Sequence, residues 1–160
     1  MPYHTGPDYG DGAVRIGAPQ VAEILATAID ADVFGAVGAY LGTARRAANE
    51  YYFCIYENET PVGQIVLHDM NLATGESLIG YCLFRPDLRG RGVGTRALRL
   101  LQQFVVEEME LTRLVIITSS DNLASQSVAR KCGFVFSGGA WEDPEQLLVF
   151  EWIVPRQAGS

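Results

Sequence analysis

A glycine-rich loop constrains this chain more than any other feature of its sequence. Residues 84–97 read FRPDLRGRGVGTRA, with glycine at positions 90, 92 and 94. Glycine adopts backbone angles closed to other residues and lets a ligand approach the main chain closely. Apolar residues recur at helical spacing from about Gly92 to Met109, so the loop is expected to open an amphipathic helix. The unpaired N–H groups and the dipole of such a first turn favour phosphate.

Positive charge gathers at this loop in a chain whose formal net charge is −7. Five of the 12 Lys and Arg residues fall there, namely Arg85, Arg89, Arg91, Arg96 and Arg99. The acidic balance argues against a nucleic-acid partner, and no apolar run reaches the ~18 residues that cross a bilayer. We therefore expect the loop to hold one polyanion, although a solvated arginine-rich helix face would carry the same charges.

Several interpretations of the loop compete at this point. The residues from Gly92 to Ala97 fit a dinucleotide fingerprint, GxGxxG/A, with Asp121 as the acidic partner. That fingerprint needs its first glycine directly at a strand end, whereas residues 85–91 intervene here. A Walker A loop would need its last glycine to be followed by Lys and then by Ser or Thr, and no Gly-Lys-Ser/Thr sequence occurs in the chain. A glycine turn with a purely structural role stays open.

The pattern of elements predicts a single mixed α/β domain over residues 13–155, with a flexible leader at 1–12 and a tail at 156–160. Aromatic and β-branched runs alternate with turn residues through an antiparallel N-terminal meander. A buried strand and a further helix follow the long helix. The predicted strands are 13–17, 51–57, 62–69, 77–84, 113–118, 134–136 and 147–154, and the predicted helices are 19–29, 32–49, 92–109 and 122–131.

Two motifs at compatible spacing resemble the GNAT superfamily of N-acetyltransferases. Arg89 to Gly94 fits the pattern Gln/Arg-x-x-Gly-x-Gly/Ala, and Asn122 to Phe134 fits Asn-x-x-Ser/Ala-x-x-x-x-x-Lys-x-Gly-Phe. The hairpin before Tyr81 is similar to that of the ribosomal-protein N-terminal acetyltransferases (RimJ/RimL-like). The resemblance extends over residues 51–152 and implies a GNAT-like fold, with a parallel strand pair splayed around acetyl-CoA and helices on both faces of the sheet.

The same resemblance implies which residues hold acetyl-CoA. Backbone groups of Cys82, Leu83 and Phe84 would pair with the pantetheine arm. Backbone amides of the loop and first helical turn would hold the pyrophosphate, with arginines beside them: Arg89, Gly90, Arg91, Gly92, Val93, Gly94 and Thr95. Asn122 would contact the pantetheine end or hold the strands apart, and it also suits a helix N-cap.

The catalytic groups follow less directly. Many family members protonate the departing thiolate with a tyrosine at the position of Ala129, so Ser125 becomes the candidate donor, with cofactor binding or capping as its other role. Glu76, at a strand start, is the first candidate for the base that takes the amine's proton, ahead of Asp69 or a water relay. His68 reads as a structural histidine. The subgroup's frequent glutamate is replaced by Arg96.

The resemblance leaves the acceptor amine open. Acidity favours a cationic acceptor such as a protein N-terminus, a polyamine or an aminoglycoside, and homodimers are common in the subgroup. Three cysteines without a CxxC pair, and two histidines, favour a reduced cytoplasmic protein without a metal site. An acyl-CoA sensor or a catalytically inactive GNAT-fold protein is the alternative to an enzyme.

Overall fold

The fold is built on one eight-stranded sheet, seen in a computed structural model that describes residues 5–43 and 49–156. The strands lie in the order β1-β2-β3-β4-β5-β6-β8-β7. They are β1 (Tyr9–Gly10), β2 (Val14–Gly17), β3 (Tyr51–Glu57), β4 (Thr60–Asn71), β5 (Glu76–Leu83), β6 (Arg113–Ser119), β7 (Val135–Ala140) and β8 (Asp143–Ile153). The predicted antiparallel meander is present as β1 to β5.

One pair of neighbouring strands is parallel, and it separates along its length. β5 and β6 pair only at their starts, where Glu76 to Leu78 face Arg113 to Val115. Beyond that point β5 remains paired with β4, and β6 remains paired with β8. The sheet therefore opens into a gap between the last halves of β5 and β6. The expected splayed parallel pair is confirmed.

Helices cover both faces of the sheet because successive side chains of each strand point to opposite faces. The helices are α1 (Val21–Ala26), α2 (Ala31–Thr43), α3 (Val93–Glu108) and α4 (Leu123–Lys131). In β3, Phe53 and Ile55 join the larger apolar cluster beneath α3, whereas Tyr52 and Tyr56 join a smaller cluster with residues of α1 and α2. Among the described residues, no helix is both long and apolar enough to cross a bilayer.

Two boundary predictions need correction. The first helix is shorter than predicted, because Thr27 already has extended backbone angles; the second was predicted to reach 49, and residues 44–48 lie outside the described part. The predicted leader contributes a strand, since Tyr9 and Gly10 pair with β2. The Tyr9 ring also packs edge-on against Phe104 of α3, with ring centroids 6.0 Å apart.

Candidate active site

A cavity of about 680 Å³ lies where β5 and β6 have parted, between the first turns of α3 and α4. Both motifs that the sequence singled out contribute to its wall. The lining residues are Tyr81, Cys82, Leu83, Leu88, Arg89, Gly90, Gly92, Val93, Gly94, Thr95, Ser119, Asp121, Asn122, Ala124, Ser125, Ser127, Val128 and Lys131. Fold topology therefore brings together segments about 40 residues apart in sequence.

The glycine loop presents unpaired N–H groups to this cavity. Gly92 precedes α3 with φ of +79°, a left-handed conformation that favours glycine, and Gly90 has φ of +77°. The Arg96 N–H is bonded to the Gly92 carbonyl (3.0 Å), which leaves the three preceding amides of α3 without a partner inside the helix. Gly92 provides no side-chain cap for this end. A helix start of this kind favours an anion.

The gap supplies a second set of backbone groups, from β5. The Phe84 N–H donates to the Val62 carbonyl of β4 (2.9 Å), and antiparallel pairing continues through Cys82 opposite Gln64. Because successive residues direct their backbone groups to opposite sides of a strand, Tyr81 and Leu83 direct theirs toward the gap. An extended ligand can pair with those two residues as an added strand would.

The assignment of Cys82 and Phe84 backbone groups to the pantetheine arm is therefore not supported. Both residues direct their amides toward β4, and the Phe84 carbonyl accepts a hydrogen bond from the Asp30 N–H (2.6 Å). The Phe84 side chain is fully buried in the smaller cluster and does not line the cavity. Cys82 does line it, and burial raises the pKa of the Cys82 thiol to about 11.

Only part of the arginine cluster faces the cavity. Arg89 lines it, together with Lys131 from the end of α4. Arg91 instead pairs with Glu57 of β3 at 2.5 Å, so its predicted contact with the cofactor is not supported by the side-chain position. Arg96 pairs with Asp11 beside β1, also at 2.5 Å. These two arginines anchor the loop and α3 to the sheet.

Asn122 has both roles that its sequence context suggested. It is the N-cap of α4, where its side-chain oxygen accepts a hydrogen bond from the Ser125 N–H (3.0 Å), and it lines the cavity. Ser125 is 9% exposed and faces the same cavity. Ala129, at the position of the missing tyrosine, is fully buried in the larger apolar cluster.

Tyr81 is a cavity residue that the sequence reasoning missed. A side chain at Gly94 would begin 3.4 Å from the Tyr81 ring, so this ring lies against the first turn of α3. The Ser125 side chain lies close enough to act on the ionisation of the Tyr81 hydroxyl. Burial raises the pKa of Tyr81 and Ser125 acts in the opposite direction. Strand alternation from the apolar Ile79 would have placed Tyr81 on the α3 face.

Glu76 lies in a different cavity of about 510 Å³. Its carboxylate pairs with Arg113, which also approaches Glu151 at 3.6 Å. Leu78 and Ile117 line this second cavity and alternate with buried residues of the larger cluster, so the cavity is on the opposite face of the sheet. The two cavities both lie next to the point where β5 and β6 separate.

Two further candidates for the base lie near this second cavity. Asp69 lines it, with a positive φ of 49° at the irregular end of the pairing between β4 and β5. His68 contacts the Asp69 carboxylate at 2.7 Å. The cavity is thus lined by carboxylates from three strands and by one arginine, which pairs with two of them, and this charge suits an amine more than an anion.

Comparison with known proteins identifies what this arrangement is similar to. Residues 16–135 match the family model described as the acetyltransferase (GNAT) domain. Two Bacillus subtilis (strain 168) proteins are similar: YdaF, named as a ribosomal N-acetyltransferase, is 33% identical over 49% of this chain and 42% of its own length. YjcK, named as an N-acetyltransferase, is 30% identical over 62% of this chain and 61% of its own. The matches thus span less than two thirds of either relative.

A solved structure extends the likeness in fold over nearly the whole chain. RimL, the ribosomal L7/L12 α-N-protein acetyltransferase in complex with coenzyme A, superposes with a TM-score of 0.73 at 17% identity. The superposition covers 90% of this chain and 96% of that protein. At this identity the likeness concerns the fold.

Proposed function

The chain belongs to the GNAT acetyltransferase family, and from that premise we propose that it is an acetyl-CoA-dependent N-acetyltransferase acting on a primary amine of a protein. The observation that carries the proposal is the cavity at the parted strands, which combines an anion-binding helix start with unpaired strand amides. Acetyl-CoA needs both features, because its pyrophosphate requires an anion site and its extended, amide-bearing arm requires strand amides to pair with.

The residues present fit acetyl-CoA at each part of its length. Val93, Gly94 and Thr95 offer their free N–H groups to the pyrophosphate, with Arg89 and Lys131 supplying positive charge. The pantetheine arm carries amide groups that pair with the free backbone groups of β5 in the gap. The dinucleotide alternative accounts for the glycines but not for the gap between β5 and β6.

Acetyl-CoA supplies a thioester, which an amine attacks readily because a thiolate leaves easily. The chain must therefore orient the thioester and stabilise negative charge on its oxygen. It must also remove a proton from the amine and supply one to the departing thiolate. A strand N–H directed into the gap donates to that oxygen. Ser125 contributes a hydroxyl to the wall where the departing thiolate needs a proton. Cys82 is unsuited to carry the acetyl group, since a pKa of about 11 keeps it a thiol at neutral pH.

We assign the acceptor to the second cavity, and Glu76 to its base. The two cavities lie on opposite faces of the sheet beside one break, so donor and acceptor can be bound together and react directly. The carboxylates of Asp69, Glu76 and Glu151 attract a protonated amine. Glu76, or a water that it orients, then removes the proton so that the amine can attack.

A protein N-terminus is the acceptor class that the observations favour. The similar YdaF and the structurally similar RimL both carry names that refer to ribosomal proteins, and a chain with net charge −7 attracts basic proteins. Ribosomal proteins and acetyl-CoA meet in the cytoplasm, where we place the protein. The three cysteines are free thiols, as that compartment requires.

Calorimetry with acetyl-CoA, and with NAD as a control, tests the donor site first. We expect acetyl-CoA alone to bind, with affinity reduced by Arg89→Ala and unchanged by Arg91→Ala, since only the first arginine faces the cavity. Thiol release with basic peptides, spermidine and an aminoglycoside then separates acceptors. Binding without release for any amine would favour an acyl-CoA sensor, and lack of binding would end the proposal.

A further inference from the structure

The cavity wall holds one phenol hydroxyl that the function above does not use. Tyr81 lines the wall between the first turns of α3 and α4, with its ring against Gly94 and Ser125 in the same wall. Its ring also packs against the larger apolar cluster. These contacts place the ring between β5 and the first turn of α3.

The other hydroxyls of the cavity are alcohols, which are weaker acids than a phenol. Among its lining residues, all of which the structure describes, these alcohols are Thr95, Ser119, Ser125 and Ser127. A free phenol has a pKa near 10, closer to that of a thiol. Ala129, where relatives would have a tyrosine on α4, has no proton to give. Tyr81 supplies the same chemical group from the strand that faces that helix.

We propose that Tyr81 protonates the departing coenzyme A thiolate, and that Ser125 is a positioning residue that orients the Tyr81 hydroxyl. This inference rests on the proposed function. The amine nitrogen forms a bond to the acetyl carbon and gives its surplus proton to water, and the carbon–sulfur bond breaks, with its electron pair going to sulfur. The sulfur takes the phenol proton, and the phenolate accepts a hydrogen bond from Ser125 until solvent returns a proton.

The surroundings of Tyr81 suit this role. Burial raises its pKa, which keeps the phenol protonated at neutral pH, while Ser125 lowers the pKa and eases release of the proton. Cys132, at the end of α4, also acts to raise it. The remaining titratable groups of the cavity wall are Cys82, Arg89, Asp121 and Lys131.

Steady-state kinetics of Tyr81→Phe provide the first test. This variant keeps the ring packed against Gly94 and removes only the hydroxyl, so the fold is expected to be retained. We expect kcat to fall about 100-fold or more, with KM for acetyl-CoA within about threefold of wild type. Tyr9→Phe is the matched control, because it removes a phenol hydroxyl that lies outside the cavity and donates to Glu108 (3.4 Å), and it should change kcat less than twofold.

The double variant separates the two hydroxyls. If Ser125 acts through Tyr81, Ser125→Ala in the Tyr81→Phe background lowers kcat no further. The alkaline fall of kcat should move to higher pH in Ser125→Ala and disappear in Tyr81→Phe. Equal kcat in Tyr81→Phe and wild type would overturn the inference and return the proton to Ser125.

A readout independent of turnover uses protein labelled with ¹³Cζ-tyrosine. The Tyr81 resonance, identified by its loss in Tyr81→Phe, should shift when coenzyme A is added and titrate at higher pH in Ser125→Ala. A wild-type protein that turns over substrate but shows no shift contradicts only this inference. A wild-type protein that neither binds acetyl-CoA nor turns over contradicts the proposed function itself.

Discussion

Replacing Gly92 by alanine tests the conformational basis of the anion site. Gly92 precedes α3 with φ of +79°, and a β-carbon added there would meet no atom within 4 Å. Any effect of the alanine must therefore come from the backbone rather than from a collision. The left-handed region costs an L-residue about 1–2 kcal/mol.

This strain has to appear in one of two measurements. If the loop keeps its conformation, the free energy of unfolding falls by about 1–2 kcal/mol. If the loop relaxes, ligand binding must restore the conformation, and the affinity for acetyl-CoA falls about 5–30-fold. The two losses should sum to about 1–2 kcal/mol. Urea unfolding and calorimetry on the same preparation measure both.

Two matched variants check the cause. Gly92→Asn should lose less than Gly92→Ala, because asparagine tolerates the left-handed region better. Gly94→Ala has ordinary helical angles and places its β-carbon 3.4 Å from Tyr81, an ordinary contact. It should therefore keep its stability or gain up to about 1 kcal/mol. If Gly92→Ala matched wild type in both measurements, the reasoning would be refuted.

Three further outcomes follow from other contacts. Asp11→Asn should cost about 1 kcal/mol of unfolding free energy at pH 7, after allowance for solvent screening. Arg96 lowers the Asp11 pKa to about 2 from 3.8. The stabilisation is therefore present above pH 4 and is lost as the pH falls toward 2. Thermal unfolding in acid should accordingly give the same result for Asp11→Asn and wild type. Lys131→Met should weaken acetyl-CoA binding several-fold in calorimetry, because Lys131 lines the donor cavity; equal affinity in the variant and wild type would show that its ammonium contacts no phosphate. Glu76→Gln should lower kcat/KM at least tenfold, whereas an equal loss in Asp69→Asn alone would move the base there.

The parts of the site that the sequence revealed are those formed by neighbours along the chain. Gly92 has its left-handed angle directly before the first residue of α3. Asn122 caps α4 through the amide three residues later. Both relations are local, so their spacing is visible in the printed order of residues. The order of strands and helices followed from the hydrophobic pattern, and the parted parallel pair followed from the resemblance to a family.

The tertiary structure alone decided which side chains face the cavity. Arg89 and Arg91 are two residues apart, yet one lines the cavity and the other pairs with Glu57, 34 residues away. Tyr81 meets Ser125 only because β5 and α4 approach each other across the gap, and Glu76 reaches Arg113 through the start of β6. Long charged and aromatic side chains have several rotamers within reach of different partners. The choice among those rotamers depends on packing between distant segments, which no local pattern records.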